Sequence, residues 1–158
     1  MKILLAIDGS PCSEAAVREI AARQWPEGSV VKILSVATVL LPDVPLDPFF
    51  VTYAAHMEMM KKERARLQDL VERTASELRE RAVNKPLPIE TAVIDGSPKQ
   101  MIIEEAEQWG ADLIVVGCHG FGPVKRFLLG SVSQAVAVHA PCSVEIVRLR
   151  HTPEGQPV

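Results

Sequence analysis

The feature that most constrains this chain is a regular alternation of short apolar runs with segments of helical periodicity. Residues 2–7 ("KILLAI"), 29–37 and 112–117 are almost continuously apolar, which is typical of strands buried on both faces. A third strand in chain order ends within 91–96, and a fifth covers 143–149. Such alternation predicts an α/β domain, with a parallel sheet, helices on both of its faces and right-handed crossovers.

Helix boundaries are marked by capping residues. Ser10 precedes Pro11 at the start of the first helix, and Ser97 precedes Pro98 at the start of a later one. Gly110 is a stop signal for that later helix. The sequence therefore predicts helices directly after the first and third strands.

A long charged helix is predicted over 54–83. Its apolar positions recur every three or four residues, and this spacing favours a stripe that faces the core over a binding surface. The stripe comprises Met57, Met60, Arg64, Leu67, Val71, Thr74 and Leu78. The preceding Pro-rich segment, 39–53, contains Leu46, Phe49 and Phe50, which fit a lid, a partner patch or ordinary loop packing; the sequence does not decide among these roles.

Length and composition predict one domain over 1–150, followed by a frayed tail over 151–158. The net charge of −3 argues against a nucleic-acid-binding protein, because such proteins favour a basic face. The apolar start is too short for a signal peptide, and no run approaches the roughly 20 residues of a membrane span. A reduced, cytoplasmic protein that does not bind membranes is expected.

The cysteines give no recognisable pattern. Cys12, Cys118 and Cys142 form an odd, scattered set without a CxxC pair. Neither a zinc motif nor a disulfide framework is indicated. Cys118 follows a buried strand, so packing is favoured over a reactive thiol, and Cys12 and Cys142 are interpreted as structural.

The glycine-rich stretch after the fourth strand, "VVGCHGFGPVKRFLLGSVSQAV" over 115–136, is the strongest candidate site. It matches neither the P-loop nor the dinucleotide fingerprint, since Lys125 stands where the latter needs its third glycine. A phosphate site remains: Gly130 opens a helix at Ser131, and a helix N-terminus attracts anions. Ser131 and Ser133 add hydroxyl groups, and Lys125 and Arg126 add positive charge.

The spacing Gly117-x2-Gly120-x9-Gly130-Ser131 resembles the adenine-nucleotide signature of the universal stress protein family. Three further blocks resemble that family in the same order: "ILLAIDGSPCSEAA", "DGSPKQMIIEEAEQWGADLIVVG" and "SVSQAVAVHAPCSVEIVR". The resemblance covers roughly residues 1–149. Cys118 departs from it, since the family more often has a small hydroxyl residue there.

The resemblance implies a single doubly wound domain whose five-stranded parallel sheet has the order 3-2-1-4-5. It also implies an ATP site with Mg²⁺ accompanying the phosphates, in which Asp8 lines the pocket and Val36 meets adenine through its backbone. A homodimer is implied by the family, and pairing through the last strand, 143–149, is expected. The predicted nucleotide-binding residues are Asp8, Val36, Gly117, His119, Gly120, Lys125, Arg126, Gly130, Ser131, Val132 and Ser133.

Some of these residues have simpler interpretations. Asp8 is also suited to cap the turn "DGSP", His119 to a structural role, and Lys125 with Arg126 to a solvated pair. No catalytic residue is assigned: Asp8 and Asp95 end neighbouring strands, but neither belongs to a recognisable catalytic pair. The first hypothesis is therefore an ATP-binding stress-response regulator, a switch or interaction module with little or no turnover. Two alternatives remain open, a slow ATPase or nucleotide-transferring enzyme on the same fold, and a dimeric interaction protein without nucleotide.

Overall fold

A computed structural model describes residues 1–38, 51–81, 87–119 and 129–149, with side chains from residue 55 onward in the second of these ranges. Strands and helices alternate throughout the described residues, as the apolar runs predict. The strands are β1 (Lys2–Ala6), β2 (Val30–Ala37), β3 (Ile89–Asp95), β4 (Leu113–Gly117) and β5 (Ser143–Val147). The helices are α1 (Pro11–Ala22), α2 (Val51–Arg81), α3 (Pro98–Trp109) and α4 (Ser131–His139).

The five strands form one sheet in the order β3-β2-β1-β4-β5, and every neighbouring pair is parallel. This confirms the predicted fold class and strand order. Since all strands run the same way, their carboxyl ends meet at one edge of the sheet. The order reverses beside β1, whose neighbours are β2 and β4, and ligands of such folds bind at this switch point.

Both faces of the sheet are covered. Along β1, Ile3 and Leu5 face one hydrophobic cluster, which α1 and α2 complete, while Leu4 and Ala6 face another, which α3 and α4 complete. All four side chains are buried. This two-sided burial explains why β1 is apolar without interruption, because a strand with one solvated face would alternate with polar residues.

The helix caps follow the sequence signals closely. The Ser10 hydroxyl accepts a hydrogen bond from the Ser13 backbone N–H, and Pro11 occupies the first turn of α1. Ser97 precedes α3 but makes no such side-chain bond, while Gly110 ends that helix in the left-handed region with φ +70°. Trp25 lies beyond the end of α1 and packs on the core from there.

Helix α2 is buried along only part of its predicted stripe. Leu67, Val71 and Leu78 are buried, as is Thr74, so the core-facing interpretation holds for this part of the helix. Met57 and Arg64, which belong to the stripe nearer the start of α2, are exposed, so the core-facing interpretation fails at these two positions. In the part of the chain that the structure describes, no helix is long and apolar enough to cross a membrane.

Candidate functional site

A pocket lies at the carboxyl edge of the sheet, at the switch point between β1, β2 and β4. Its cavity volume is about 130 Å³. The described residues that line it come from the ends of those strands, from the starts of α1, α3 and α4, and from the loops between them. They are Ala6, Ile7, Asp8, Ser10, Ser13, Leu34, Val36, Pro98, Ile102, Val116, Gly117, His119, Val132 and Ser133.

The loop after β1 is ordered by its own side chains. The Ser10 backbone N–H donates to Asp8 Oδ1 at 2.9 Å, and the Gly9 N–H donates to Ser13 Oγ at 3.1 Å. Gly9 adopts φ +83°, which the sharp turn into α1 requires. Asp8 therefore caps the turn and also lines the pocket, so the two predicted roles are compatible in one geometry.

Gly117 ends β4 where α1 approaches it most closely. A Cβ at this position would lie 2.6 Å from the carbonyl carbon of Cys12 and 2.7 Å from the backbone nitrogen of Ser13. Its place in the glycine signature predicts a role in nucleotide binding. The structure supplies an intramolecular reason as well, since any larger residue would collide with the first turn of α1.

The N-terminus of α4 forms another wall of the pocket. Ser133 is buried, and its hydroxyl lies 2.7 Å from the Gly117 carbonyl and 3.2 Å from that of Cys118, which ties the helix to the end of β4. Gly130 is the N-cap and provides no side chain to cap the helix. The first turn of α4 therefore presents backbone N–H groups for which the described residues supply no side-chain cap, the situation that favours an anion.

His119 follows β4 and lines the pocket. Its Nδ1 lies 3.1 Å from Cys118 Sγ, while its Nε2 is buried and has no hydrogen-bond partner among the described residues. Its backbone carbonyl accepts from Ser10 Oγ at 3.2 Å, which joins this loop to the loop after β1. A buried imidazole nitrogen without a partner is costly, so it is a ready contact for a bound molecule.

Two thiols lie beside this histidine. Cys12 and Cys118 are both buried, and their sulfur atoms are 3.0 Å apart. Burial, followed by the hydrogen bond with Cys12, raises the pKa of Cys118 to about 11. At neutral pH the thiol is therefore protonated, which agrees with the prediction of packing rather than reactivity.

The remaining wall is apolar. Leu34 and Val36 come from β2, while Pro98 and Ile102 come from α3. Polar groups at one side of the pocket and apolar groups at the other suit a ligand with a flat apolar part and an anionic part.

The structure brings together much of the predicted site. Asp8, Val36, Gly117, His119, Val132 and Ser133 line the pocket, while Gly130 is buried beside it and Ser131 is exposed at the first position of α4. The predicted residues Gly120, Lys125 and Arg126 lie outside the described residues. Asp95, the other strand-end carboxylate, forms an ion pair with Arg64 and does not line the pocket.

Sequence reasoning missed several lining residues. Neither Ser13 nor Ile102 is predicted as a site residue, although Ser13 of α1 and Ile102 of α3 both line the pocket. It also missed the meeting of Cys12 with Cys118, which are 106 residues apart. The signal was present only indirectly, since the order 3-2-1-4-5 makes the segments that follow β1 and β4 spatial neighbours.

The comparisons with known proteins agree on one family. The model of the universal stress protein family matches residues 1–148. A curated protein of Staphylococcus haemolyticus, provisionally named a universal stress protein, is 33% identical over 156 residues, with 96% of this chain and 87% of that protein covered. The solved structure of the universal stress protein UspA from Lactobacillus plantarum is 25% identical and has a TM-score of 0.76. The match covers 94% of this chain and 97% of that one.

Two further solved structures share the fold and are described with adenine nucleotides. One, a family member from Arabidopsis thaliana with AMP bound, has 20% identity and a TM-score of 0.66, with 98% of this chain and 94% of that one covered. The other is a universal stress protein in complex with cAMP, with 22% identity, a TM-score of 0.60, and coverage of 94% and 96%.

Proposed function

This chain belongs to the universal stress protein family, and we propose that it binds an adenine nucleotide, ATP with Mg²⁺, in the pocket at the carboxyl edge of the sheet. The observation that carries the proposal is that one pocket combines the N-terminus of α4 with the buried Nε2 of His119, for neither of which the described residues supply a side-chain partner. The family members described with AMP and with cAMP support an adenine nucleotide as the ligand class.

The pocket divides into two halves that match the two halves of such a ligand. Leu34, Val36 and Ile102 form the apolar half that would hold the adenine ring. His119 and the first turn of α4 form the half that would hold phosphates, through an imidazole N–H and backbone N–H groups. Gly120, Lys125 and Arg126 remain part of the proposal as further phosphate contacts.

Asp8 is the residue suited to hold Mg²⁺. It is the acidic residue among the described residues that line the pocket, and magnesium prefers oxygen ligands such as carboxylates. The hydrogen bond from Ser10 occupies Oδ1 and thereby fixes the orientation of the carboxylate. When bound, the ion would neutralise phosphate charge, and Asp8 would supply one of its oxygen ligands.

The test uses charge at the exposed first position of α4. Ser131→Asp places a carboxylate at a helix N-terminus, which stabilises the helix but repels phosphate. Ser131→Asn has nearly the same size without the charge. In calorimetric titrations with ATP and AMP, the Asp variant should bind about tenfold more weakly than the Asn variant. Equal affinities would show that the phosphates do not lie at this helix N-terminus. A wild-type protein that binds no adenine nucleotide would refute the whole proposal.

The proposed function is that of a regulatory switch or interaction module with little or no ATP turnover. Among the described pocket residues, the carboxylate of Asp8 already accepts from Ser10 and has no catalytic partner, and hydrolysis needs a positioned water and a base. We therefore expect ATP to stay mostly intact when it is incubated with stoichiometric protein and Mg²⁺. Chromatography of the nucleotide checks this, and multiple turnovers that are lost in Asp8→Asn would favour the ATPase alternative.

A homodimer through β5 completes the proposal. This strand is an edge of the sheet, and one side of it packs on the core through Val144 and Ile146. An unpaired edge strand invites pairing, and its symmetry mate would close it in a two-fold interface. Sedimentation of the wild type at micromolar concentrations should give a dimer, and a strictly monomeric species would refute this part.

A further inference from the structure

Two thiols and an imidazole meet beneath the pocket. The sulfur atoms of Cys12 and Cys118 lie 3.0 Å apart, and His119 Nδ1 lies 3.1 Å from Cys118 Sγ. One ligand atom from each residue lies within 4.8 Å of the other two. Among the described residues, no other group of three or more His, Cys, Asp or Glu side chains is gathered in this way.

The backbone around this cluster is fixed from several directions. The Cys118 N–H donates to the Val147 carbonyl at 2.8 Å, and the Cys118 carbonyl accepts from the Gly130 N–H at 2.8 Å. Ser10 Oγ holds the His119 carbonyl. Because Gly117 has no Cβ, the first turn of α1, which contains Cys12, can lie against the end of β4. The three side chains are therefore brought together by the fold rather than by flexible loops.

The cluster has unsatisfied bonding capacity. Cys12 and Cys118 are 6% and 5% exposed, and thiols are weak hydrogen-bond donors and acceptors. The ring nitrogen of His119 that contacts this cluster is Nδ1, whose partner is the weakly hydrogen-bonding Sγ of Cys118, and Nε2 stays available for the phosphate proposed above. Three potential ligand atoms within 4.8 Å of one another, with only weak contacts between them, point to a ligand that they share.

We propose that Cys12, Cys118 and His119 bind a thiophilic cation, Zn²⁺, as a three-ligand centre beneath the pocket. Zinc takes sulfur and imidazole ligands at about 2.3 and 2.0–2.1 Å in tetrahedral geometry, which separates two sulfur ligands by about 3.8 Å. The two sulfur atoms need to separate by less than about 1 Å from their present distance, a change within reach of side-chain rotation.

The composition of the cluster selects the metal. Two thiolates with an imidazole suit zinc, whereas Mg²⁺ requires oxygen ligands, so this centre is distinct from the Mg²⁺ that accompanies a nucleotide. Binding converts two thiols to thiolates and releases two protons to solvent, with no change of oxidation state. Three protein ligands leave a fourth coordination position for water or another ligand.

The test is a metal titration of the reduced, chelator-stripped full chain without nucleotide, so that its result is independent of the proposed nucleotide function. Co²⁺ should bind one per chain and give thiolate-to-cobalt charge-transfer absorption in the near ultraviolet, and Zn²⁺ should abolish that absorption by displacement. Competition with a chromophoric chelator then gives the zinc affinity. Loss of a direct ligand in Cys12→Ser or Cys118→Ser should lower this affinity more than about 100-fold, beyond the loss typical of an outer partner.

Cys142→Ser is the matched control, because Cys142 is a half-buried thiol outside the cluster. It should bind Co²⁺ and Zn²⁺ like the wild type. Circular dichroism establishes that each variant is folded. A folded, reduced wild type without stoichiometric binding would overturn the proposal whatever the variants do. The proposal would also be overturned if the cluster formed only a Cys12–Cys118 disulfide and bound no metal. The disulfide would be detected as a decrease of the intact mass by two hydrogens.

Discussion

The two edges of the sheet use their polar groups in opposite ways. At the amino edge, where the strands begin, these groups pair with one another. The Lys2 N–H donates to Asp112 Oδ2 at 2.7 Å, its ammonium donates to the Trp109 carbonyl at 2.8 Å, and the Asp112 N–H donates to the Lys2 carbonyl at 2.8 Å. The Val30 N–H donates to the Met1 carbonyl in the same way. These bonds join the start of β1 to its neighbours on both sides.

At the carboxyl edge, several groups remain available. His119 Nε2 has no partner among the described residues, and α4 begins at Gly130 without a side-chain cap. The bonds that do form, such as those of Ser10 and Ser133, hold the loops rather than fill the pocket. The amino edge therefore contributes mainly to stability, while the carboxyl edge leaves groups available for the proposed nucleotide. Substitutions at the two edges should have different consequences.

The largest expected effect on stability is at Gly117, where the carboxyl edge is packed most tightly. Gly117→Ala would place a Cβ within 2.6–2.8 Å of the backbone of Cys12 and Ser13, and backbone moves at greater cost than a side chain does. Overpacking of this kind costs about 3 kcal/mol or more when the neighbour is rigid. Urea unfolding of the wild type and the variant measures the difference in the free energy of unfolding.

Gly28→Ala is the control for this experiment. A Cβ at Gly28 meets nothing within 4 Å, but the residue adopts φ +76°. The variant therefore carries only the backbone strain of the left-handed region, about 1–2 kcal/mol. If Gly117→Ala is no less stable than Gly28→Ala, then the close approach of α1 and β4 does not restrict this position.

The next largest effect is expected at Ser133, where a substitution should lower both the stability of the fold and the affinity for nucleotide. Ser133→Ala removes the hydroxyl that contacts the Gly117 and Cys118 carbonyls and leaves the α4 N-terminus less firmly held. We expect a loss of about 1–2 kcal/mol in the free energy of unfolding. The nucleotide affinity should fall as well, by about tenfold, because the first turn of α4 must be in place to meet phosphate.

Ser76→Ala provides a matched comparison, since the exposed Ser76 hydroxyl donates only to the Glu72 carbonyl of its own helix. Its effect on stability should stay within about 0.5 kcal/mol, with no change in affinity. Equal nucleotide affinities of Ser133→Ala and wild type would show that this hydroxyl serves the fold alone.

The fold was predictable from the sequence to a large extent, because its signals are local and redundant. The unbroken apolar run of β1 reflects burial on both faces. Gly110 ends α3 in the left-handed conformation, which glycine adopts more easily than other residues do. The strand order came from the family resemblance, since strand pairing depends on contacts far apart in the chain.

The lining of the candidate pocket was predictable where the glycine signature marks it, and at Asp8 and Val36, which the family resemblance supplied. His119 and Ser133 belong to that signature or its helix, whereas Ser13 and Ile102 reach the pocket through the packing of α1 and α3. The contact of Cys12 with Cys118 depends on the distance between two crossing elements. No local pattern encodes such a distance, so cysteine spacing alone argued against a metal site.

A smaller effect is expected at the amino edge, from Asp112→Ala. The variant loses the hydrogen bond from the Lys2 N–H, and we expect a cost of about 1 kcal/mol, since Asp112 is exposed and water replaces part of the bond. The nucleotide affinity should remain that of the wild type. A tenfold change in affinity at constant fold would contradict the division of roles between the two edges.

The smallest expected effect comes from a surface charge pair next to the carboxyl edge. Glu63 accepts two hydrogen bonds from Arg66, at 2.7 and 2.9 Å, and this contact lowers the pKa of Glu63 below its ordinary value of 4.5. Both side chains are nearly half exposed, so solvent screens the pair strongly. At neutral pH, Glu63→Gln should lower the free energy of unfolding by only a few tenths of a kcal/mol.

The pH dependence follows from the direction of the shift. Because the folded state favours the ionised carboxylate, its contribution is fully present above pH 4.5 and is lost as the pH falls below that value through the folded pKa. The difference between wild type and Glu63→Gln should therefore be constant from neutral pH down to about pH 5.5 and should then shrink to zero in acid. Urea unfolding at several pH values, repeated at about 1 M salt, measures it, and salt should reduce it further. A difference that persists at pH 3, or exceeds about 1 kcal/mol at neutral pH, would mean that the carboxylate contributes to the packing of the carboxyl edge and not only to its surface charge.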